Sequence, residues 1–197
     1  LTLVLAAIFR PGSWLDLLGS VFAVSFLAIP NFLLGTLLIF LFAVKWPLFP
    51  ISGSFHFLNL VLPALTLGLS MSAMQYRVTR SALMTELAKP YVRFARSKGL
   101  GPLRLFYHHL LRNIAIPLST VLALQLGALV AGVIITETVF SWPGIGTILV
   151  EAVKYRDYPL VQGLVIWIVM GYLLIHFLLD IFYLWLDPRI YRKEHPQ

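Results

Sequence analysis

Four stretches of this chain, residues 21–44, 57–76, 114–135 and 158–185, each run twenty residues or more and together hold a single charged residue, Asp180. Twenty residues of α-helix rise about 30 Å, the thickness of a bilayer's hydrocarbon core. No water is present there to hydrogen-bond an open backbone, so apolar runs of this length specify helices. The expected fold class is all-α, a polytopic membrane helical bundle. Composition agrees: 12% charged residues is about half the roughly 25% of a soluble domain, too few to wrap a soluble core. A soluble globular enzyme is excluded. The absence of cysteine excludes a disulfide framework and thiolate metal sites.

Pro30 and Pro63 fall within the first two runs, and a kink is expected at Pro30-Asn31. A shorter apolar run, residues 1–9, rises only about 13 Å as a helix and cannot span. No basic region precedes it and no small-residue cleavage pattern follows, so it does not read as a signal peptide. It is expected to be the end of a helix that begins before Leu1. Residues 1–186 then form the membrane domain and 187–197 a tail.

Lys and Arg between the spans set the orientation. Arg10, the eight cations of residues 77–113 and the three of the tail make twelve on one side, against Lys45, Lys154 and Arg156 on the other. By the positive-inside rule the first set, with the C-terminus, is cytoplasmic. The net charge of +7 is thereby accounted for without nucleic acid as a partner.

Residues 77–113 have internal order. Pro90 disfavours helix at Lys89, so one helix is expected to end near Lys89 and a short one to begin with Pro90 at its first position. Arg96 and Lys98 suit that helix's last turn, and Gly99 suits a left-handed cap. Pro102 opens another helix, in which Leu103, Phe106, Tyr107, Leu110 and Leu111 follow the spacing of one apolar face, with Arg104, His108 and Arg112 opposite. From physics alone this basic hairpin serves equally to bind anionic lipid or a protein partner.

Other features carry weaker signals. Asp180, near the cytoplasmic end of the last span, reads as an ion pair fixing that helix or as a proton-relay group. The small-residue ridges Ala64-Gly68-Ser72 and Ala123-Gly127-Ala131 read as close helix packing, within this chain or against a second one. Asn31, Thr66 and Gln125 are candidates for pore lining, and His176 for a helix–helix hydrogen bond. His108 and His109, adjacent on a helix, point about 100° apart and have no third ligand nearby, so a metal site is not expected. No phosphate loop is present in these residues, and no Gly-x-Ser-x-Gly or His-Glu-x-x-His motif. Residues 137–157 read as an ordered re-entrant or interfacial loop, turned at Trp142-Pro143-Gly144.

Residues 91–100, Tyr-Val-Arg-Phe-Ala-Arg-Ser-Lys-Gly-Leu, followed by His109-Leu110-Leu111-Arg112-Asn113 and Pro117, resemble the cytoplasmic coupling loop of ABC importer permeases in their dipeptide, oligopeptide and nickel version. Residues 137–146, Glu-Thr-Val-Phe-Ser-Trp-Pro-Gly-Ile-Gly, are similar to the same family, as are Arg156-Asp157-Tyr158-Pro159 and Asp187-Pro188-Arg189. The resemblance covers nearly the whole chain. It departs from the broader importer motif, which begins Glu-Ala-Ala where this chain has Arg93, Phe94 and Ala95.

The resemblance implies a type I permease core, half of a translocation pathway in a bacterial inner membrane, importing dipeptides or oligopeptides, with nickel or a nickel chelate as the alternative cargo. It implies a second permease subunit, two ATPase subunits and an extracytoplasmic binding protein as partners, besides membrane lipid. ATP and Mg would be used by the ATPases, and this chain would be no enzyme and bind no cofactor or metal itself. Tyr91, Arg93, Phe94, Ala95, Arg96, Gly99 and Arg112 would form the ATPase-coupling segment, with Tyr91, Phe94 and Ala95 packed into a groove of the ATPase. Glu137, Phe140, Trp142, Pro143, Gly144 and Gly146 would shape the outer mouth. A secondary transporter or channel and a lipid-binding scaffold are the readings of other classes.

Overall fold

The computed structural model describes residues 12–51 and 56–186. The expected helix stub at residues 1–9 and the tail at 187–197 lie outside the described residues, as does the side chain of Asp180. Every regular element among the described residues is helical: α1 (Trp14–Ala28), α2 (Asn31–Ile39, continued by a π-turn over Phe40–Lys45), α3 (Leu58–Leu87), α4 (Pro90–Ser97), α5 (Pro102–Leu105, continued by a π-turn over Phe106–Leu110), α6 (Leu111–Phe140), α7 (Ile145–Lys154) and α8 (Tyr158–Leu186). Among these residues, three helical stretches are long and apolar enough to cross a membrane alone: Leu58–Leu87, Pro102–Val130 and Tyr158–Leu179. Two bent pairs, Trp14–Ala28 with Asn31–Lys45 and Gly132–Phe140 with Ile145–Lys154, bring the total to as many as five.

The prolines separate by context. At Pro30 the expected kink is a full break: the residue is extended, at φ −59° and ψ 143°, and a new helix starts at Asn31. Proline lacks the N–H that a continuous helix needs, and its ring pushes the preceding residue out of helical geometry. Pro63 and Pro117 instead sit inside α3 and α6, which run on through them for 30 residues each. Thirty residues rise about 45 Å, so each of these helices projects beyond a hydrocarbon core of roughly 30 Å.

The chain divides into two compact units. The first comprises residues 1–28 and 71–122. Its core is a single cluster in which Ala73, Tyr76 and Leu83 of α3 meet Val92 and Ala95 of α4, Leu105, Phe106 and Leu110 of α5, Ile114 of α6 and Ala23 of α1. The second comprises residues 29–70 and 123–197. There Gly35 of α2 lies against Val139 and Phe140 of α6, and Gly127 of α6 lies under Tyr172 and His176 of α8. His176 stacks on Tyr172 at 4.1 Å between ring centroids. The two small-residue ridges therefore differ. Gly127 is used within the chain, whereas Ala64 and Ser72 are exposed and open space lies over Gly68.

Candidate functional site

The first unit holds α4 between the ends of two long helices. Glu86, the penultimate residue of α3, is 5% exposed. Its Oε1 accepts a hydrogen bond from the Tyr91 hydroxyl of α4 at 2.7 Å and another from Asn113 Nδ2 of α6 at 2.7 Å. Asn113 Nδ2 also donates to the Tyr91 oxygen at 3.2 Å, and Lys89 Nζ lies 2.5 Å from Glu86 Oε2. One buried carboxylate thus joins three helices and the turn between two of them, with its charge matched by a lysine and both oxygens hydrogen-bonded or ion-paired. Burial, and then the adjoining Glu86 carboxylate, push the Tyr91 phenol above its ordinary pKa, so it remains a donor.

The amphipathic pattern of α4 decides which of its residues face outward. Val92 and Ala95, three apart, are buried in the core cluster, while Arg93, Phe94 and Arg96 are exposed. Phe94 is 62% exposed, and Lys98 Nζ sits 4.6 Å from its ring centroid. The result is an exposed aromatic ring with a lysine over it, on a basic helix whose back is fixed. Gly99 closes the helix at φ +79°, the left-handed conformation that glycine adopts without cost from a Cβ.

A second constellation lies at the bend between α6 and α7, where the axes turn by 82°. Glu137, in the last turn of α6, accepts hydrogen bonds through Oε2 from the backbone N–H of Gly146 at 2.8 Å and of Thr147 at 3.2 Å. These are first-turn amides of α7, so the carboxylate supplies both the missing acceptor and a negative charge at the positive end of the helix. The approach is close enough that a Cβ at Gly144 would overlap the Glu137 carboxylate, and one at Gly146 would fall 2.6 Å from the Ile134 Cα. Trp142 N–H donates to the Glu137 carbonyl at 2.8 Å, and Ser141 turns the chain at φ +50°. At the far end of α7, Asp157 Oδ1 accepts from Leu160 N–H at 3.2 Å and caps α8.

Residues 1–192 match the model of the binding-protein-dependent transport system inner membrane component family. The chain belongs to that family. Its relatives include the glutathione transport system permease protein GsiC of Pectobacterium atrosepticum, 40% identical over 190 residues that make up 96% of this chain and 62% of that protein. The protein of the same name from Escherichia coli is 38% identical over 190 residues, with the same coverage. A probable peptide ABC transporter permease protein of Sinorhizobium fredii is 37% identical over 195 residues, covering 95% of this chain and 62% of that protein. The chain thus spans about 62% of the length of these relatives.

Within this permease-family chain the residues singled out from the sequence fall into distinct places. Arg93, Phe94, Arg96, Gly99 and Arg112 are exposed. Ala95 is buried against the chain's own core, and the Tyr91 hydroxyl is held by Glu86 and Asn113. The expected packing of Tyr91, Phe94 and Ala95 into a groove of the ATPase is therefore corrected for Ala95, which is buried in this chain's own core, and for the Tyr91 hydroxyl, which Glu86 and Asn113 hold, leaving Phe94 as the exposed member. Of the second set, Glu137, Gly144 and Gly146 meet at the α7 cap, Phe140 is buried against Gly35, Trp142 is half-buried and Pro143 exposed.

Two features were not singled out from the sequence. Glu86 is the only acid in residues 77–113, and that isolation among cations was the available signal. Asp16, 2% exposed, receives Arg80 Nε at 2.6 Å and Nη2 at 2.8 Å, the Gly12 N–H at 3.1 Å and the Tyr76 hydroxyl at 3.3 Å. Its partner lies 64 residues away, a separation at which no local pattern operates. This fork-shaped pair fastens α1 to α3.

Proposed function

We propose that this chain is the membrane-spanning permease subunit of an ATP-driven ABC importer of peptides, glutathione among the candidate cargoes, and that α4 is its docking helix for an ATPase subunit. The observation that carries the reading is the exposed Phe94, flanked by Arg93, Arg96 and Lys98, on a short helix whose opposite face is built into the core of α3, α5 and α6. An exposed aromatic on a short basic helix fits a groove with an apolar floor and acidic rim. ATP and Mg would be handled by that partner, since these 197 residues contain no phosphate loop. The names of the relatives described above support peptide over nickel as cargo. The exposed Ala64-Gly68-Ser72 ridge supports close packing against a second permease subunit, with the pathway between them, and cargo would be delivered by an extracytoplasmic binding protein. The C-terminus and α4 lie in the cytoplasm on the charge count.

Deleting α4 would also strip Val92 and Ala95 from the core, so surface substitutions make the cleaner test. In the full-length protein, Phe94→Asp combined with Arg93→Glu and Arg96→Glu is expected to abolish co-purification of the ATPase subunit while membrane insertion and thermal stability hold. Undiminished co-purification would overturn the docking assignment.

A further inference from the structure

We infer that Glu86, Tyr91 and Asn113 are positioning residues that form the mechanical joint of α4, transmitting its displacement to α3 and α6 together. The inference rests on the ATPase-docking reading above and goes beyond it, since none of the three needs to touch the ATPase. An eight-residue helix is too short to hold its own shape in isolation. Its covalent link toward α5 and α6 is also a poor lever, since that segment contains two glycines, Gly99 and Gly101, whereas only residues 88 and 89 separate it from α3. A push received at Phe94 therefore has to reach α6 through side chains.

Two sets of contacts do this. Val92 and Ala95 pack into the core, where apolar contacts resist compression but slide readily along a helix axis because they are non-directional. The Glu86 cluster resists sliding, since its hydrogen bonds fix distance and angle at one buried carboxylate. Tyr91 is the second residue of α4 and Phe94 the fifth, so load and joint are less than one turn apart. Because Glu86 and Asn113 belong to the two long helices that run on from this point, one displacement of α4 reaches both.

The test uses the full-length transporter, assembled with its ATPase subunits and binding protein in proteoliposomes, with glutathione and an alanyl dipeptide as transported probes. Tyr91→Phe, which removes one hydroxyl, and Asn113→Ala are each expected to keep ATPase association and hydrolysis while transport per ATP falls several-fold. The double variant is expected to fall no further than the worse single one, because both break the same joint. A merely structural role would lower assembly and hydrolysis together and leave the ratio unchanged. If association and hydrolysis are intact and the ratio is unchanged in Tyr91→Phe, the joint is overturned while docking stands. If no ATPase associates with the unaltered protein, the docking reading fails and the joint falls with it.

Discussion

A carboxylate that caps a helix from outside it can reach the amides only if the backbone beside it stays bare, and Gly146 meets that condition at the α6–α7 bend. The 2.6 Å between a Cβ built there and the Ile134 Cα is a clash with main chain, which a rotamer change cannot relieve. Gly146→Ala is expected to destabilise the protein by about 1–3 kcal/mol, the usual cost of forcing atoms into a packed site, and to loosen the Glu137 cap. Gly163→Ala in α8 is the matched control: nothing lies within 4 Å of its added Cβ, and alanine is the better helix former, so stability should hold or rise slightly. Thermal unfolding of both variants in detergent checks the contrast; equal melting temperatures would mean that the bend does not depend on this approach. Residue identity made Glu137, Gly144 and Gly146 conspicuous in the sequence, whereas the bond that joins them belongs to a fold in which α7 turns back on α6. Asp16 illustrates the same limit more sharply, since its acid carries no mark of the arginine it will meet.

Helices are where proline and glycine punctuation made the sequence most readable. The boundary at Lys89-Pro90, the left-handed Gly99 and the start at Pro102 all appear in the structure as local chemistry requires. The apolar face after Pro102 does not. Leu103, Tyr107 and Leu111 are exposed, while Leu105, Phe106, Leu110 and Ile114 are buried. The cause is the π-turn over Phe106–Leu110, in which Leu111 N–H bonds to the Phe106 carbonyl five residues back. Residues five apart point about 140° apart on an α-helix, and the wider turn brings Leu105 and Leu110 to one side. Such a turn amounts to one inserted residue, so deleting exposed His108 should convert it to regular α-helix with Leu105 and the former Leu110 four apart, still on one face. The deletion is expected to shift stability by less than about 1 kcal/mol. Deleting Ile116, exposed but inside regular helix, should instead rotate everything on one side of it by about 100° and prevent folding of the first unit. Protease resistance and thermal melts of the two deletions distinguish these outcomes, and equal damage from both would count against the register account.

At the scale of the whole molecule the question is which ends of the helices face the cytoplasm, because the proposed docking surface works only there. On the topology expected from the sequence, twelve of the fifteen cations fall on the side that includes α4, and Lys45, Lys154 and Arg156 on the other. Such a bias orients membrane proteins through the cost of moving Lys and Arg across the bilayer. The pairing of Asp16 with Arg80 agrees, since it places the start of α1 beside the same end of α3. Both endpoints needed for a direct test are solvent-facing: Ser97 at the end of α4, and Tyr155, 84% exposed, after α7. These residues contain no cysteine, so a single substitution introduces the one thiol among them, and the unsubstituted protein serves as the labelling blank. In intact spheroplasts, Tyr155→Cys is expected to react with a membrane-impermeant maleimide and Ser97→Cys to react only after permeabilisation. The opposite pattern would place α4 outside the cell, where no ATPase is available, and would overturn both the docking helix and the joint behind it. Equal labelling of both before permeabilisation would mean that the chain does not hold a single orientation and would overturn the assignment from charge.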